Sequence, residues 1–373
     1  MQPKIVVTES ELNTKLERIH KLLAQTGMEA LLLQRFSNFA WATCGAACYI
    51  NTADSAGNAS LLITPAGRYV LTDNIEATRL MQEEGLADQG WEFVIIPWYD
   101  RKDKVSEMTR GMKLGADTGF PNAKSLSSEI ATLRHALTQE EGERFRKLAG
   151  LCTEGMRSAI EAVQPGMTEF EIAGVLSQAV ESRGVQAIVN LIATDERIFA
   201  YRHPLPTAKK LQRYAMLILC GRKWGLICSL TRFIHFGPLP EEIQHKAEAV
   251  AKIDATMIAA TRPGFTLGVV FQQAQSAYAS AGYRDEWKNH HQGGLAGYEP
   301  REITATPSST QPILAGQAYA WNPSIAGAKS EDTILVGEQG NEIITEMTNW
   351  PTLEIQVGSQ TIKRPAILER ELP

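Results

Sequence analysis

A repeated segment in the second half of the chain constrains the fold more than any other feature of the sequence. Gln164-Pro-Gly-Met-Thr168 and, 98 residues later, Arg262-Pro-Gly-Phe-Thr266 each place Pro-Gly before a threonine that opens a helical pattern. The two patterns end in the same register at Gly184 and Gly282. Threonine is a common N-cap residue, and glycine adopts the left-handed conformation that follows many helix ends. Because strand-rich sequence follows each helix, the repeat predicts two related helix-plus-sheet units with a cleft between their sheets.

The first part of the chain has a different pattern. Thr8-Glu-Ser-Glu11 resembles a capping box, and apolar residues at helical spacing follow it up to Gly27. Short apolar runs at residues 30–33, 60–64, 68–72 and 93–97 predict strands, and residues 76–84 predict a helix. Residues 114–128 have the composition of a loop, and one long helical pattern extends from Leu126 through Met156. We therefore predict an α/β protein with an N-terminal α/β domain at residues 1–130 and a second domain at residues 131–373.

The composition argues against several classes of binding partner. With 37 basic and 42 acidic residues among 373, the chain lacks the basic footprint of a nucleic-acid binder. Its first residues lack the apolar region of a signal peptide, and no apolar stretch reaches the length of a membrane span. The five cysteines form no Cys-x-x-Cys pair, and an odd number argues against a disulfide framework. We expect a cytoplasmic protein that acts on a small molecule or short peptide, with no nucleic-acid or membrane partner.

Several motifs in the second half carry a family resemblance. They are Tyr201-Arg-His203-Pro-Leu-Pro, Ser229-Leu-Thr-Arg232, His291-x-x-Gly294-Leu-x-x-Tyr298-Glu-Pro300, Trp321-Asn-Pro and Ser330-Glu-Asp332. Together with the repeat, they resemble in order and spacing the pita-bread enzymes, which include aminopeptidase P, prolidase, methionine aminopeptidase and creatinase. The resemblance covers nearly the whole chain and implies a pita-bread fold for the second domain. It also implies a homodimer and an N-terminal domain like that of the prolidase-like and creatinase-like members.

The resemblance implies a metal site that this sequence has largely lost. Peptidases of the family hold two divalent metal ions with the ligands Asp, Asp, His, Glu and Glu. In that order, the corresponding positions are Leu219 (Cys220 if the alignment shifts by one residue), Ser229, His291, Asn322 and Glu331. One carboxylate and one neutral imidazole would then face the charge of +4 that two metal ions bring, which is strongly disfavoured in a buried site. We predict that the dinuclear metal centre is absent and that the protein uses no cofactor.

Creatinase, by the same resemblance, hydrolyses a C–N bond without metal and uses a histidine at the position of His203 for proton transfer. We therefore predict three catalytic residues, with His203 as the general acid and base and with His291 and Glu331 as a polarising or orienting pair. The predicted substrate-binding residues are Ser229, Thr231, Asn322 and Tyr298. Thr231 and Asn322 replace glutamates of creatinase, so we expect a more neutral substrate than a guanidinium compound.

Three hypotheses for function remain open. The leading one is metal-independent hydrolysis of a C–N bond in a small amide or amidine-like compound. The second is a catalytically silent module that binds a peptide or metabolite in the cleft, as the pita-bread domain of a histone-chaperone subunit resembles an enzyme without being one. The third is a metal-dependent Xaa-Pro aminopeptidase with substituted ligands.

Other cysteine, histidine and arginine residues near these motifs are interpreted as structural rather than catalytic. Cys220 and Cys228 flank a hairpin, but free cysteines on apolar strands are usually small core residues rather than nucleophiles. His235 alternates with aromatic residues on a predicted strand and is interpreted as a core or edge residue. Arg232 follows Thr231 and should point to the opposite face of its strand, into a structural salt bridge.

Overall fold

A computed structural model describes residues 7–100 and 102–372. The contacts between Cα atoms divide the chain into two units, Met1–His135 with Trp224–Leu226, and Ala136–Lys223 with Ile227–Pro373. Within the described residues, none of the helices is both long and apolar enough to cross a membrane.

The first unit contains five helices and a six-stranded sheet within its described residues. The helices are α1 (Glu9–Thr26), α2 (Phe36–Ala42), α3 (Ala77–Gln82), α4 (Lys104–Met108) and α5 (Ser127–Leu133). The strands are β1 (Ala30–Arg35), β2 (Ala56–Thr64), β3 (Gly67–Asp73), β4 (Glu92–Ile96), β5 (Leu114–Ala116) and β6 (Lys124–Ser125). They are ordered β4-β3-β2-β1-β5-β6. Strands β1, β2 and β3 pair antiparallel, whereas β4, β5 and β6 join the sheet by parallel pairing.

Local signals placed the first helix and strands correctly. The side chain of Thr8 caps α1 by accepting a hydrogen bond of 3.1 Å from the backbone N–H of Glu11, and Gly27 ends the helix at φ 67°. Strands β1 to β4 overlap the four predicted apolar runs, and α3 lies within the predicted helix at residues 76–84.

The segment around residues 114–156 differs from the prediction in two ways. Strands β5 and β6 occupy part of the predicted loop, and a Cβ atom on Gly115 would collide with the Leu126 side chain. This glycine therefore permits close packing of a strand rather than a turn. The single long helix was also wrong, because α5 ends at Leu133 and a new helix starts after Thr138. Thr138 and Glu141 form a complete capping box, which starts the second helix independently.

The second unit is built from five α-helices, a short 3₁₀ helix and thirteen strands within its described residues. The helices are α6 (Gln139–Ala162), α7 (Glu169–Glu181), α8 (Glu196–Ala200), α9 (Glu241–Ala260), α10 (Leu267–Ser280) and the 3₁₀ helix Glu286–Asn289. The strands are β7 (Gln186–Thr194), β8 (Tyr214–Lys223), β9 (Leu226–Phe236), β10 (Gly293–Ala296), β11 (Ile303–Thr304), β12 (Ala318–Trp321), β13 (Ser324–Ile325), β14 (Ala328–Lys329), β15 (Asp332–Val336), β16 (Asn341–Ile343), β17 (Thr352–Val357), β18 (Gln360–Pro365) and β19 (Leu368–Arg370).

The internal repeat is visible in the structure. Helices α7 and α10 begin after Thr168 and Thr266, whose side chains accept hydrogen bonds from backbone N–H groups three residues later. The same two threonines form equivalent isolated bridges, to Lys210 and to Pro312. Gly184 and Gly282 adopt φ values of 71° and 86° after the two helices. The prediction of two related helix-plus-sheet units is therefore confirmed.

Each half of the repeat contributes one sheet. The first has the order β19-β9-β8-β7 and the second β11-β10-β12-β15-β16. Helices α9 and α10 pack on the second sheet, where Met257, Phe271 and Trp321 belong to one buried core cluster. The sheets meet where the Thr333 hydroxyl on β15 donates a hydrogen bond to the backbone oxygen of Ser229 on β9, at 2.9 Å. The backbone N–H of Thr231 donates to the backbone oxygen of Glu331 at 3.2 Å beside it. The candidate site lies at this junction.

Candidate active site

Three histidines from two distant segments lie together in the second unit. His203 lies between α8 and β8, whereas His290 and His291 lie between the 3₁₀ helix and β10. The Nε2 atoms of His203 and His290 are 3.0 Å apart, and the rings of His203 and His291 have centroids 5.7 Å apart. The structure thus brings two predicted catalytic residues, His203 and His291, together with a third histidine that the sequence analysis did not single out.

Contacts just outside the cluster hold its two segments in place. Arg202 donates a hydrogen bond of 2.5 Å to the Glu286 carboxylate, which ties the residue before His203 to the 3₁₀ helix. The side-chain amide of Gln292 donates to the backbone oxygen of His290 at 2.5 Å. A Cβ atom on Gly293 would collide with the backbone oxygen of Ala320, so this glycine allows β10 to approach β12 closely.

The histidine cluster favours neutral imidazoles. Burial, followed by the charge of Lys329, lowers the pKa of His290 to about 2. Burial and the charge of Arg301 lower the pKa of His291 to about 4. The pKa of His203 is lowered by burial and by Lys329, while Glu331 acts in the opposite direction. Each of the three rings is therefore neutral at pH 7 and has one unprotonated nitrogen.

The hydrogen bonds of Glu331 go to a different set of residues from the predicted one. Its carboxylate accepts from the Thr231 hydroxyl at 2.6 Å, from Arg301 at 3.1 Å and from the Lys329 ammonium at 2.8 Å. The expected polarising pair with His291 is therefore replaced by ion pairs with two cations. Burial alone would raise the pKa of Glu331, but the charges of Lys329 and Arg301 and the hydrogen bonds lower it to about 2. Glu331 is thus a permanent anion.

Strand β9 and its neighbour β8 place the small polar side chains. The Ser229 hydroxyl lies 3.3 Å from the Cys220 sulfur and accepts a hydrogen bond of 3.3 Å from Arg301. Thr231, two residues further along β9, reaches Glu331 on the same face. Of the two candidate residues for the first family aspartate, Cys220 rather than Leu219 is the one whose side chain contacts Ser229. Burial raises the pKa of the Cys220 thiol to about 11, which excludes a thiolate at neutral pH.

Two predicted substrate-binding residues have contrasting surroundings. Asn322 follows β12, is 3% exposed, and has a buried side-chain oxygen without a hydrogen-bond partner among the described residues. It therefore retains capacity to bind a ligand. Tyr298 is fully buried, and its hydroxyl donates a hydrogen bond of 2.7 Å to Glu141 on α6. Its hydroxyl is thus committed to a structural contact, and the prediction that Tyr298 positions substrate finds no support in this geometry.

Other residues near the site have structural contacts. Arg232 pairs with Asp332 at 2.7 Å and donates to the backbone oxygen of Thr345, as expected of a residue facing away from the cleft. His235 is buried, and its Nδ1 atom lies 2.9 Å from the backbone oxygen of Gly237. The thiol of Cys228 lies 3.8 Å from the Thr333 hydroxyl between the sheets.

The sequence analysis missed three site residues, namely His290, Arg301 and Lys329. Two of them had a local signal, since His290 is adjacent to His291, and Lys329 stands two residues before Glu331 on the same side of an extended chain. Arg301 had none, because it reaches Glu331 from a loop thirty residues earlier in the chain.

The residues present do not fit the dinuclear metal centre that the resemblance implies. Both oxygens of Glu331 contact protein cations, and Ser229 hydrogen-bonds to Arg301. Arg301 and Lys329 thus place two positive charges among the ligand positions, whereas the family places four carboxylates there. Two divalent ions would meet one carboxylate and two fixed cations at this place, which is electrostatically unfavourable.

Comparisons with known proteins identify the family. Residues 143–338, more than half of the chain, match the model of metallopeptidase family M24. An uncharacterized peptidase of Staphylococcus saprophyticus is 26% identical over 241 residues, which cover 61% of this chain and 67% of that protein. The prolidase from Pyrococcus horikoshii OT3 superposes with a TM-score of 0.76 at 20% identity, covering 89% of this chain and 98% of the prolidase.

An Xaa-Pro dipeptidase from Bacillus anthracis superposes with a TM-score of 0.77 at 18% identity, covering 96% of this chain and 100% of the dipeptidase chain. At these identities the structural likenesses show the fold alone. The family match and the observed architecture together confirm the resemblance seen in the sequence. The chain therefore belongs to metallopeptidase family M24 and has the pita-bread fold.

Proposed function

We propose that this M24 protein hydrolyses a C–N bond of a small neutral or anionic amide without a dinuclear metal centre. One observation carries the proposal: the Glu331 carboxylate, the last acidic residue at the family's ligand positions, is held by Arg301 and Lys329. The remaining groups that could move a proton at neutral pH are the neutral imidazoles of the histidine cluster.

His203 is the proton-transfer residue in this mechanism. It is exposed, whereas its partner His290 is 9% exposed, and their Nε2 atoms are 3.0 Å apart. At this distance one imidazole donates a hydrogen bond and the other accepts it, so His290 orients the ring of His203. His203 accepts a proton from an attacking water while the water oxygen bonds to the amide carbon. The same proton passes to the leaving nitrogen as the C–N bond breaks.

The fixed charges restrict the substrate. Arg301 and Lys329 with Glu331 carry a net charge of +1 (two cations and one carboxylate), and all three side chains are at most 10% exposed. This charge repels a protonated amidine or guanidinium group and stabilises a developing oxyanion. The Nε atom of Arg301 is buried without a hydrogen-bond partner among the described residues, so it remains available as a donor. An amide that bears a carboxylate suits these charges best.

An open pocket lies beside two of the histidines. It has a volume of about 360 Å³ and lies next to His290 and His291. Its other lining residues are Phe271, Trp287, Lys288, Asn289, Thr304, Ala305, Thr306 and Pro307.

The experiment compares wild type with His203→Ala and with the control His245→Ala, which removes an exposed histidine on α9. Chelator-treated protein, shown by elemental analysis to be metal-free, is assayed against a panel of small amides, guanidines and Xaa-Pro dipeptides. We expect amide turnover that His203→Ala lowers about 10²- to 10⁴-fold and His245→Ala leaves unchanged. Cleavage that requires added manganese would contradict the proposal and support a metal-dependent Xaa-Pro aminopeptidase.

The second candidate function is a binding module without catalysis. The ion pairs of Glu331 with Arg301 and Lys329 support it, because a carboxylate paired with two cations is a poor base. This alternative predicts saturable binding of an amide from the panel with no turnover in wild type. Turnover that disappears in His203→Ala would exclude it.

We also propose that the protein is a homodimer, on the strength of the family resemblance. Static light scattering of the purified chain measures this directly. A mass of one chain, near 41.0 kDa, would contradict the proposal.

A further inference from the structure

We propose that the imidazoles of His203, His290 and His291 bind a single Zn²⁺ ion, through a ligand set that shares only His291 with the positions of the dinuclear M24 centre. This site goes beyond the proposed hydrolysis, which needs no metal.

The spacing of the nitrogens suits one ion. One ligand-capable nitrogen from each histidine lies within 4.8 Å of those of the other two. The Nε2 atoms of His203 and His290 are 3.0 Å apart. Zinc–nitrogen bonds of 2.0–2.1 Å in tetrahedral geometry require ligand nitrogens about 3.3 Å apart. The two Nε2 atoms are near this separation already, and His203 and His291 are exposed enough for their rings to adjust.

Imidazole nitrogens also select the metal. Zinc binds readily to histidine, whereas magnesium, calcium and manganese prefer carboxylate and carbonyl oxygens. The carboxylate oxygens of Glu331, whose charge acts on the histidines, are engaged by Thr231, Arg301 and Lys329.

The surrounding charges act on the fourth coordination position. Lys329 and Arg301 oppose a nearby dication, and Glu331 offsets one of these two positive charges. The remaining positive charge favours an anion, either hydroxide or a carboxylate, as the fourth zinc ligand, because such a ligand lowers the net charge. Three protein nitrogens and one exchangeable ligand give zinc its usual four-coordinate shell.

Zinc at this place has a functional consequence. It would occupy the Nε2 atom of His203 and displace the hydrogen bond from His290 that orients the proton-transfer ring. Bound zinc and hydrolysis are therefore mutually exclusive, and zinc acts as an inhibitor of the reaction.

Zinc binding is tested on the full-length, chelator-treated protein by isothermal titration with Zn²⁺ alone. We expect one equivalent to bind, and we expect Co²⁺ to give the absorption spectrum of a four-coordinate nitrogen-ligated ion. His290→Ala should lower zinc affinity by at least about 10- to 100-fold, since losing even an outer-shell partner of a metal ligand has that effect. His203→Ala and His291→Ala, which alter exposed side chains, should do the same without affecting folding. The control His245→Ala should bind zinc as wild type does.

The outcomes separate this inference from the proposed hydrolysis, because zinc binding is measured without substrate. Absence of saturable binding, or binding that none of the three substitutions weakens, overturns the zinc site and leaves the hydrolysis untouched. Zinc-stimulated amide turnover overturns both the inhibitory role and the metal-independent reaction. Zinc-inhibited turnover, relieved by chelator, supports both proposals.

Discussion

The ammonium nitrogen of Lys329 lies 2.8 Å from Oε2 of Glu331, and both side chains are buried. A buried carboxylate in the ligand region of a metallopeptidase fold is thus neutralised by the protein itself. The ion pair compensates the charge of Glu331 inside the protein. It also means that the stability of the junction between the two sheets depends on this ion pair.

Replacing Lys329 with methionine should destabilise the protein. The change leaves Glu331 with Arg301 as its single cation, and breaking a buried ion pair lowers the free energy of unfolding by about 3 kcal/mol. Chemical denaturation at pH 7 measures the loss. The control Lys104→Met removes a partly exposed pair with Glu107, at 2.7 Å, and should leave stability nearly unchanged because exposed ion pairs contribute little.

The effect of Lys329→Met should also depend on pH. The pKa of Glu331 is lowered from 4.5 to about 2 in the folded protein, so its stabilising contribution is complete above pH 4.5 and is lost as the pH falls through 2. The difference in stability between wild type and Lys329→Met should therefore be largest near neutral pH and should shrink in acid. A difference that stays constant from pH 7 to pH 3 would show that lost packing, rather than charge, accounts for it.

His290 should make the protein less stable in mild acid. Its pKa is lowered from 6.5 to about 2, first by burial and then by Lys329 and the neighbouring histidines. Between these values the unfolded chain binds a proton that the folded protein excludes, so stability rises with pH and levels off above 6.5. At about 1.4 kcal/mol per pH unit, this one group accounts for a loss of about 2 kcal/mol between pH 7 and pH 5.

Substituting His290 with asparagine tests this pH dependence. The unfolding free energy of His290→Asn, measured in the presence of chelator, should fall less steeply between pH 7 and pH 5 than that of wild type. His245→Asn, at an exposed position, should keep the wild-type slope. An unchanged slope in His290→Asn would mean that other groups bind the protons on unfolding.

Tyr298→Phe should reveal a structural contact. The tyrosine hydroxyl is a buried donor to Glu141, the residue that completes the capping box of α6. Removing this hydrogen bond to a charged group should lower the free energy of unfolding by about 1–3 kcal/mol, whereas Tyr99→Phe, at a largely exposed ring, should have no measurable effect. A changed KM in Tyr298→Phe, with the free energy of unfolding at its wild-type value, would instead show that the hydroxyl contacts substrate.

Sequence reasoning succeeded where the determining interactions are local. Thr168 and Gly184 define a helix through contacts within a few residues, and the second copy of the pattern at Thr266 repeats them. Local apolar patterns also predicted strands β1 to β4. They did not predict that the helix ends before Thr138, because the apolar pattern continues on both sides of the capping box.

The site was less predictable because its contacts join distant parts of the chain. The small number of acidic residues at the expected ligand positions could be read from the sequence, but the cations that bind Glu331 could not. Arg301 reaches Ser229 across 72 residues, and Tyr298 reaches Glu141 across 157. The sequence indicates only that a buried carboxylate at Glu331 needs a charged or hydrogen-bonding partner. The structure shows that its partners are the cations Arg301 and Lys329 rather than a histidine.

The charges of Arg301 and Lys329 indicate which substitutions would create a dinuclear metal centre. Cys220→Asp, Ser229→Asp and Asn322→Glu together with Glu331 supply four carboxylates, but Arg301 and Lys329 would still cancel two of these charges. We expect this triple variant to retain less than one equivalent of Mn²⁺ after dialysis. Adding Arg301→Met and Lys329→Met leaves a net charge of −4 at the ligand positions and should raise the retained manganese to two equivalents, measured by elemental analysis. Unfolding curves with manganese present establish that both variants fold. Two equivalents in the triple variant would show that the fixed cations do not exclude the metal.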